Sequence, residues 1–289
     1  MSSRVASHAG TAFRLPAASV LRGLALRVRD LEAVLPFYSE SLGMPVRKRD
    51  ASRVELAPNG RALTLELVHD PGAPKHIHPS IGLYHFALLQ PDRASLAAVI
   101  RRFLEAKRRI DGASDHGVSE AVYLRDPEGN GIELYRDRPK DAWSVGPSGV
   151  EMVTKPLDMA GLLRETEASG PLSPATRFGH IHLHVGDLAE GERFYAGGLG
   201  LDVTQRSYPG ALFLSVGGYH HHVGLNTWAQ GRRSPEGATG LMRYAWAIPA
   251  DMLEPLRAHL RDRRVPFEDA GKAIAVTDPS GVRVDVLEA

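Results

Sequence analysis

The sequence predicts an α+β protein made of four copies of one strand–helix–three-strand module, paired into two domains around a cleft between curved mixed sheets. Three observations predict it. The string "LRVRDLEAVLPFYSESLGMPV" at Leu26 returns at Leu183 as "LHVGDLAEGERFYAGGLGLDV", keeping L-x-V-x-D-L, F-Y and L-G in register. The string "GLYHFALLQPDRASLAAVIRRFLEAKRR" at Gly82 returns at Gly240 as "GLMRYAWAIPADMLEPLRAHLRDRR". Both copies of this second type close on an Asp-Pro turn and a strand, "LRDPEGNGIELY" and "VTDPSGVRVDVL". One helix covers only one face of so small a sheet. Repeated units of this kind bury their cores by pairing, and a site between paired modules is the expected result.

Each element has a local reason. An alternating apolar strand leads to Asp30 or Asp187. A short helix carries Phe37-Tyr38 or Phe194-Tyr195, and the Leu-Gly pair ends it as a glycine C-cap does. "VELAPNGRALTLELV" and "ALFLSVGGYHHHVGLN" each hold a Gly turn between strand-like runs and read as hairpins. Modules one and two span residues 21–143, and modules three and four span 178–289. Residues 144–177, with "GPLSPATRFG", read as a linker carrying one short helix at "MAGLLRETEAS". Residues 1–20 read as a flexible arm without the apolar core of a secretory signal.

Composition excludes several classes. Lys+Arg number 35 against 34 Asp+Glu, so no net field gathers nucleic acid or an anionic membrane. No apolar run reaches the length of a membrane span. There is no cysteine, so disulfides, thiolate metal sites and Cys nucleophiles are all absent. The expectation is a cytoplasmic protein whose oligomeric state is open. Any metal must be held by His, Asp or Glu.

The repeats allow equivalent positions to be compared within one chain. His180 aligns with Gly23, His85 with Arg243, and Glu133 with Asp285. A lone strand His or Glu is ordinarily solvated or hydrogen-bonded. If module two pairs with three, however, His85, Glu133 and His180 meet. Modules one and four then bring together Gly23, Arg243 and Asp285. Two imidazoles and one carboxylate form the facial set that suits Fe(II), leaving positions open. Zn(II) also accepts two His and one Glu, so the ligands alone leave the metal open. His182 and His184 share the face of His180 and read as lining or support. Glu66 reads as structural, and His76 and His78 as solvated. In "YHHHVGLN", read as a strand, His220 and His222 share one face and His221 takes the other. The stretch from His85 to Asp126 is six residues longer than that from Arg243 to Asp278. This insert, "DGASDHGVSEAVY", brings Asp115 and His116 ahead of Tyr123. It reads as a surface loop or as a lid that sets His116 over the metal.

The strings "GHIHLHVGDLAEGERFY", "GLYHFALLQPDR", "DPEGNGIELYRDRP" and "GGYHHHVGLNTW" together resemble the vicinal oxygen chelate superfamily, nearest its two-domain extradiol catechol 2,3-dioxygenases. The resemblance runs from about Leu21 onward. It implies Fe(II), sometimes Mn(II) or another divalent metal, on His85, His180 and Glu133. A small aromatic diol and O₂ are the implied partners. It also implies that His222 is the acid/base beside the metal and Tyr123 an active-site phenol. One departure is that well-known relatives take all three ligands from their C-terminal half. Two rival readings use the same fold. One is a glyoxalase- or epimerase-like enzyme, with His222 as a fourth ligand. The other is a metal-free drug-binding protein.

Overall fold

The structure, a computed structural model, describes residues 13–58, 63–147 and 149–289. All four modules form. The first runs Val20–Val28, helix Leu31–Pro36, Val46–Arg49, Arg53–Leu56 and Thr64–His69. The second runs Gly82–Leu89, helix Arg93–Glu105, Gly112–Asp115, Ser119–Arg125 and Gly131–Asp137. The third runs Arg177–His184, helix Leu188–Glu192, Asp202–Gln205, Ala211–Ser215 and Val223–Asn226. The fourth runs Gly240–Ile248, helix Leu253–Asp262, Glu268–Asp269, Ala273–Thr277 and Arg283–Glu288.

The repeated residues have repeated jobs. Asp30 and Asp187 cap their helices by accepting from the Ala33 and Glu190 amides. Each helix then widens into a π-turn, Phe37–Ser41 and Arg193–Gly198. Gly43 and Gly200 follow at φ +67° and +79°, where a side chain is strained. Tyr38 donates to Asp126 at 2.9 Å, and Tyr195 donates to Asp278 at 2.8 Å. The F-Y tyrosine of one module thus anchors the Asp-Pro turn of the next.

The sheets exchange partners between the halves. Val20–Val28 pairs antiparallel with Gly240–Ile248, and Gly82–Leu89 with Arg177–His184. Modules one and four therefore share an eight-stranded sheet, while two and three share one of eleven strands. One apolar core runs through residues of all four modules.

Two segments differ from expectation. Of the arm expected over residues 1–20, residues 1–12 lie outside the described residues. The rest is packed: Leu15 is buried and donates its amide to Gly200 O, and Phe13 stacks on His259. Residues 144–177, read as a linker with one short helix, do hold that helix at Met159–Leu163, but they also pair with the sheet. Val145–Gly146 and Gly149–Val150 extend one edge of the eleven-stranded sheet, and Lys155–Pro156 extends the other. Apolar anchors such as Leu162 and Leu172 bury the remainder. Among the described residues, no helix is long and apolar enough to cross a membrane.

Candidate metal centre

Three adjacent strands of the larger sheet carry the three predicted ligands. His180 faces Ala87 across one ladder, and Ala87 faces Glu133 across the next. His85 lies two residues before Ala87, on the same face. Ala87 is small and fully buried, so His180 and Glu133 lean together over it. His85 Nε2 lies 3.0 Å from Glu133 Oε2, His180 Nε2 lies 3.1 Å from the same oxygen, and the two nitrogens are 3.2 Å apart. All three residues are buried, and they form the metal-competent group found among the described residues.

The donor set fits a divalent cation. Burial opposes ionisation of Glu133, but the charge and hydrogen bonds of His180 and His85 outweigh it and hold the carboxyl well below its usual range. Burial brings His180 down to about 4, against the pull of Glu133. At neutral pH the site therefore offers a neutral His180 imidazole and an ionised carboxylate, both in metal-binding form. Neighbouring ligands about 2.1 Å from an octahedral ion sit about 3.0 Å apart, which matches all three separations.

His85 and Glu133 line a cavity of about 200 Å³, with His180 buried behind them. It is lined from one sheet, not from a gap between two, and this corrects the expected placement. The eleven-stranded sheet curls, since Phe213 and His182 on one side of the strand order and Tyr123 and Ser119 on the other line the same cavity. Residues 149–156 complete the enclosure. Gly149 pairs with Gln205 at one edge of the sheet, and Lys155 with Asp115 at the other. Between them Met152 and Thr154 lie over the cavity as a strap. The sequence reading missed it, since two-residue strands leave no periodic signal.

Tyr123 and His116 both reach the cavity. Tyr123 lies opposite Glu133 in the ladder, and its hydroxyl is 2.6 Å from His116 Nε2. His116 Nδ1 is 2.7 Å from Val153 O, a carbonyl that can only accept. Nδ1 therefore carries the proton, and Nε2 accepts from Tyr123. Burial and the Glu133 charge push the phenol well above its normal pKa, so it stays protonated. The insert around His116 is a paired hairpin, Gly112–Asp115 on Ser119–Arg125, and not a free lid. Asp115 is held by Arg138 at 2.6 Å.

The histidine run departs from expectation. His220, His221 and His222 lie in the hairpin loop before Val223–Asn226, where the two-residue period does not apply. His221 is the residue that lines the cavity, its ring centroid 4.1 Å from that of His180. His222 does not reach the site. It turns to Ser215 Oγ at 2.7 Å, packs near Trp246 and lines a different cavity. His220 is buried as support, its Nε2 3.0 Å from Asp137 and its Nδ1 2.8 Å from His221 Nδ1. The tautomers follow. Asp137 accepts from His220 Nε2, so His220 Nδ1 accepts from His221 Nδ1–H. His221 then presents a bare Nε2. No signal short of the loop's conformation selects His221 over His222.

Other polar groups have partners. Asn226 bridges His182 at 3.0 Å and His184 at 2.6 Å, fixing both rings. His76 is tied between Ser80 and Ser234 at 3.0 Å each, and is not simply solvated. At the counterpart position in the eight-stranded sheet, Arg243 reaches Asp285 at 3.1 Å and also contacts Glu66. A guanidinium stands where the other pair of modules gathers His85, Glu133 and His180.

A family model described as the Glyoxalase/Bleomycin resistance protein/Dioxygenase superfamily matches residues 21–134 and 177–286. A protein of Bacillus subtilis (strain 168) named catechol-2,3-dioxygenase is 41% identical over 264 residues, covering 88% of this chain and 92% of that one. A solved Bacillus subtilis structure, provisionally assigned as a dioxygenase, superposes with a TM-score of 0.67 at 14% identity over 96% of this chain and 86% of that one. Glyoxalase I from Zea mays superposes with a TM-score of 0.56 at 18% identity, covering 94% and 92% of the two chains. These structural likenesses speak to the fold alone.

Proposed function

We propose an extradiol ring-cleaving dioxygenase, and the premise is membership: the chain belongs to the Glyoxalase/Bleomycin resistance protein/Dioxygenase superfamily. The substrate is a single-ring catechol, and the reaction adds both atoms of O₂ across the ring bond beside one hydroxyl. The product is a ring-opened semialdehyde acid. The observation that carries this reading is the convergence of His85, His180 and Glu133 at the wall of one open cavity, which His85, Glu133 and His221 line. A void of about 150 Å³ holds a benzene ring, so 200 Å³ suits one ring with small substituents.

His85, His180 and Glu133 would hold iron(II), which when bound supplies Lewis acidity toward the diol and redox access to O₂. The chain's own groups do the rest. His221 Nε2, kept unprotonated by the His220–Asp137 chain, takes a diol proton and later returns it to the ring-opened product. Tyr123, donating to His116, leaves its oxygen lone pairs free to accept from a substrate hydroxyl and orient it. Tyr84, Phe213 and Trp228 give the ring an apolar wall, and the Met152–Thr154 strap limits water.

The glyoxalase-like reading needs a fourth protein ligand. The metal-competent group among the described residues has three members and does not include His222. This favours the open coordination a diol and O₂ require. The test is isotopic. Supplied with ¹⁸O₂ and catechol, the iron-loaded protein should place two labelled atoms in each ring-opened product. Label in one position only, or isomerisation of a hemithioacetal without O₂ uptake, would overturn the reading.

A further inference from the structure

A second cavity, of about 580 Å³, opens where the two sheets meet, and nothing in the catalytic reading uses it. It lies on the other side of the histidine loop: His221 lines the first cavity, while His222 and Tyr219 line this one. Three basic side chains line it, Arg22, Lys140 and Arg177. No Asp or Glu is among its described lining residues. Elsewhere in this protein arginines are habitually paired: Arg93, Arg136 and Arg138 all converge on Glu120. Arg22 and Arg177 have no such carboxylate among the described residues, and Lys140 reaches the Gly217 carbonyl at 3.5 Å and lies over the Trp143 ring, again with no carboxylate. Asp137, the acid nearby, is taken by Tyr219 and His220 and does not line the cavity.

His222 adds a directed donor. The Val216 amide can only donate, and it points to His222 Nδ1 at 3.4 Å. The imidazole proton therefore sits on Nε2, which has no partner among the described residues. Burial, with Lys140 and Arg177 among the nearby positive groups, keeps the ring neutral, with a pKa of about 3. The remaining wall is apolar, from Leu21, Leu89 and Phe178. Uncompensated cations around an apolar floor recognise a small anion with an apolar body.

We infer that this cavity is a binding site for a small organic carboxylate, whose charged end meets Arg22, Lys140 and Arg177 and whose hydrocarbon body packs on Leu21, Leu89 and Phe178. The inference does not depend on the chemistry at His85, Glu133 and His180.

Calorimetric titration of the metal-loaded protein tests it, with benzoate, benzamide and acetate as probes. Benzoate should bind with one-to-one stoichiometry, at least tenfold tighter than benzamide, which lacks the charge, and than acetate, which lacks the body. The double variant Arg177→Gln/Lys140→Gln, at exposed positions, should weaken benzoate at least tenfold. Because benzoate can also reach a bound metal, the titration is repeated with Glu133→Gln, which should leave this affinity unchanged. Equal binding of benzoate and benzamide, unchanged affinity in the double variant, or loss of binding in Glu133→Gln would each overturn the inference.

Discussion

His221 and His222 are chain neighbours that line different cavities, so they make the sharpest contrast at the scale of single residues. His221→Ala should keep the metal and lower kcat by about 10²–10⁴-fold, the usual worth of a positioned acid/base. His222→Ala should keep both metal and kcat. Metal analysis beside steady-state kinetics reads the difference, and the reverse pattern would remove His221 from its role. The convergence of His85, His180 and Glu133 was legible in the sequence, because repeat-equivalent positions gave each residue a partner to be compared with. Which histidine of the run lines the cavity was not. The resemblance pointed to His222 and strand parity set His221 on the other face, but parity requires a strand and these residues lie in a loop. The repeated tyrosines offer a structural test. Tyr38→Phe removes a donor from buried Asp126 and should cost about 1–3 kcal/mol in denaturant unfolding. A loss near zero would mean that Asn130 and the turn amides already satisfy that carboxyl.

Among the elements, the strap is the least legible from sequence and the most exposed to test. Helices and long strands announced themselves through periodicity and capping: Asp30, Asp187, Gly43 and Gly200 all act where the repeats put them. The two-residue strands around 145–156 are fixed only by the edges they reach. Gly149 is their tightest point. It sits at φ +103°, and a Cβ there would lie 1.9 Å from the Thr204 carbonyl oxygen. Gly149→Val should release the strap from Gln205, raise KM for the ring substrate several-fold and leave metal content unchanged. An unaltered KM would show that Met152 and Thr154 do not shape the bound state.

Across the whole molecule, the exchanged pairing of modules decides where chemistry sits. Pairing by sequence order would have left each half without a complete ligand set. Crossing gives one sheet His85, Glu133 and His180, and gives the other the Arg243 cluster. The same burial that builds the site sets the pH dependence of stability. His76 and His180 are held at about 4 and His222 at about 3, chiefly by burial. In the unfolded chain these groups titrate near 6.5. Between about pH 6.5 and 4 the unfolded state binds more protons, so stability is full above this window and falls as the pH drops through it. Tm should therefore decline steadily below about pH 6.5, and His222→Gln should flatten part of that slope. A Tm level down to pH 5 would mean that these rings charge freely in the folded protein.

The central claim is that His85, His180 and Glu133 support oxygen-dependent ring opening. Oxygen uptake in a closed cell tests it most directly, with protein loaded anaerobically with Fe²⁺, mixed with catechol, and then opened to a measured amount of O₂. The account predicts one O₂ consumed per catechol, in step with a yellow ring-opened product, and none of either in Glu133→Gln. Iron held at full occupancy with catechol bound, yet no oxygen consumed across a series of substituted catechols, would contradict it.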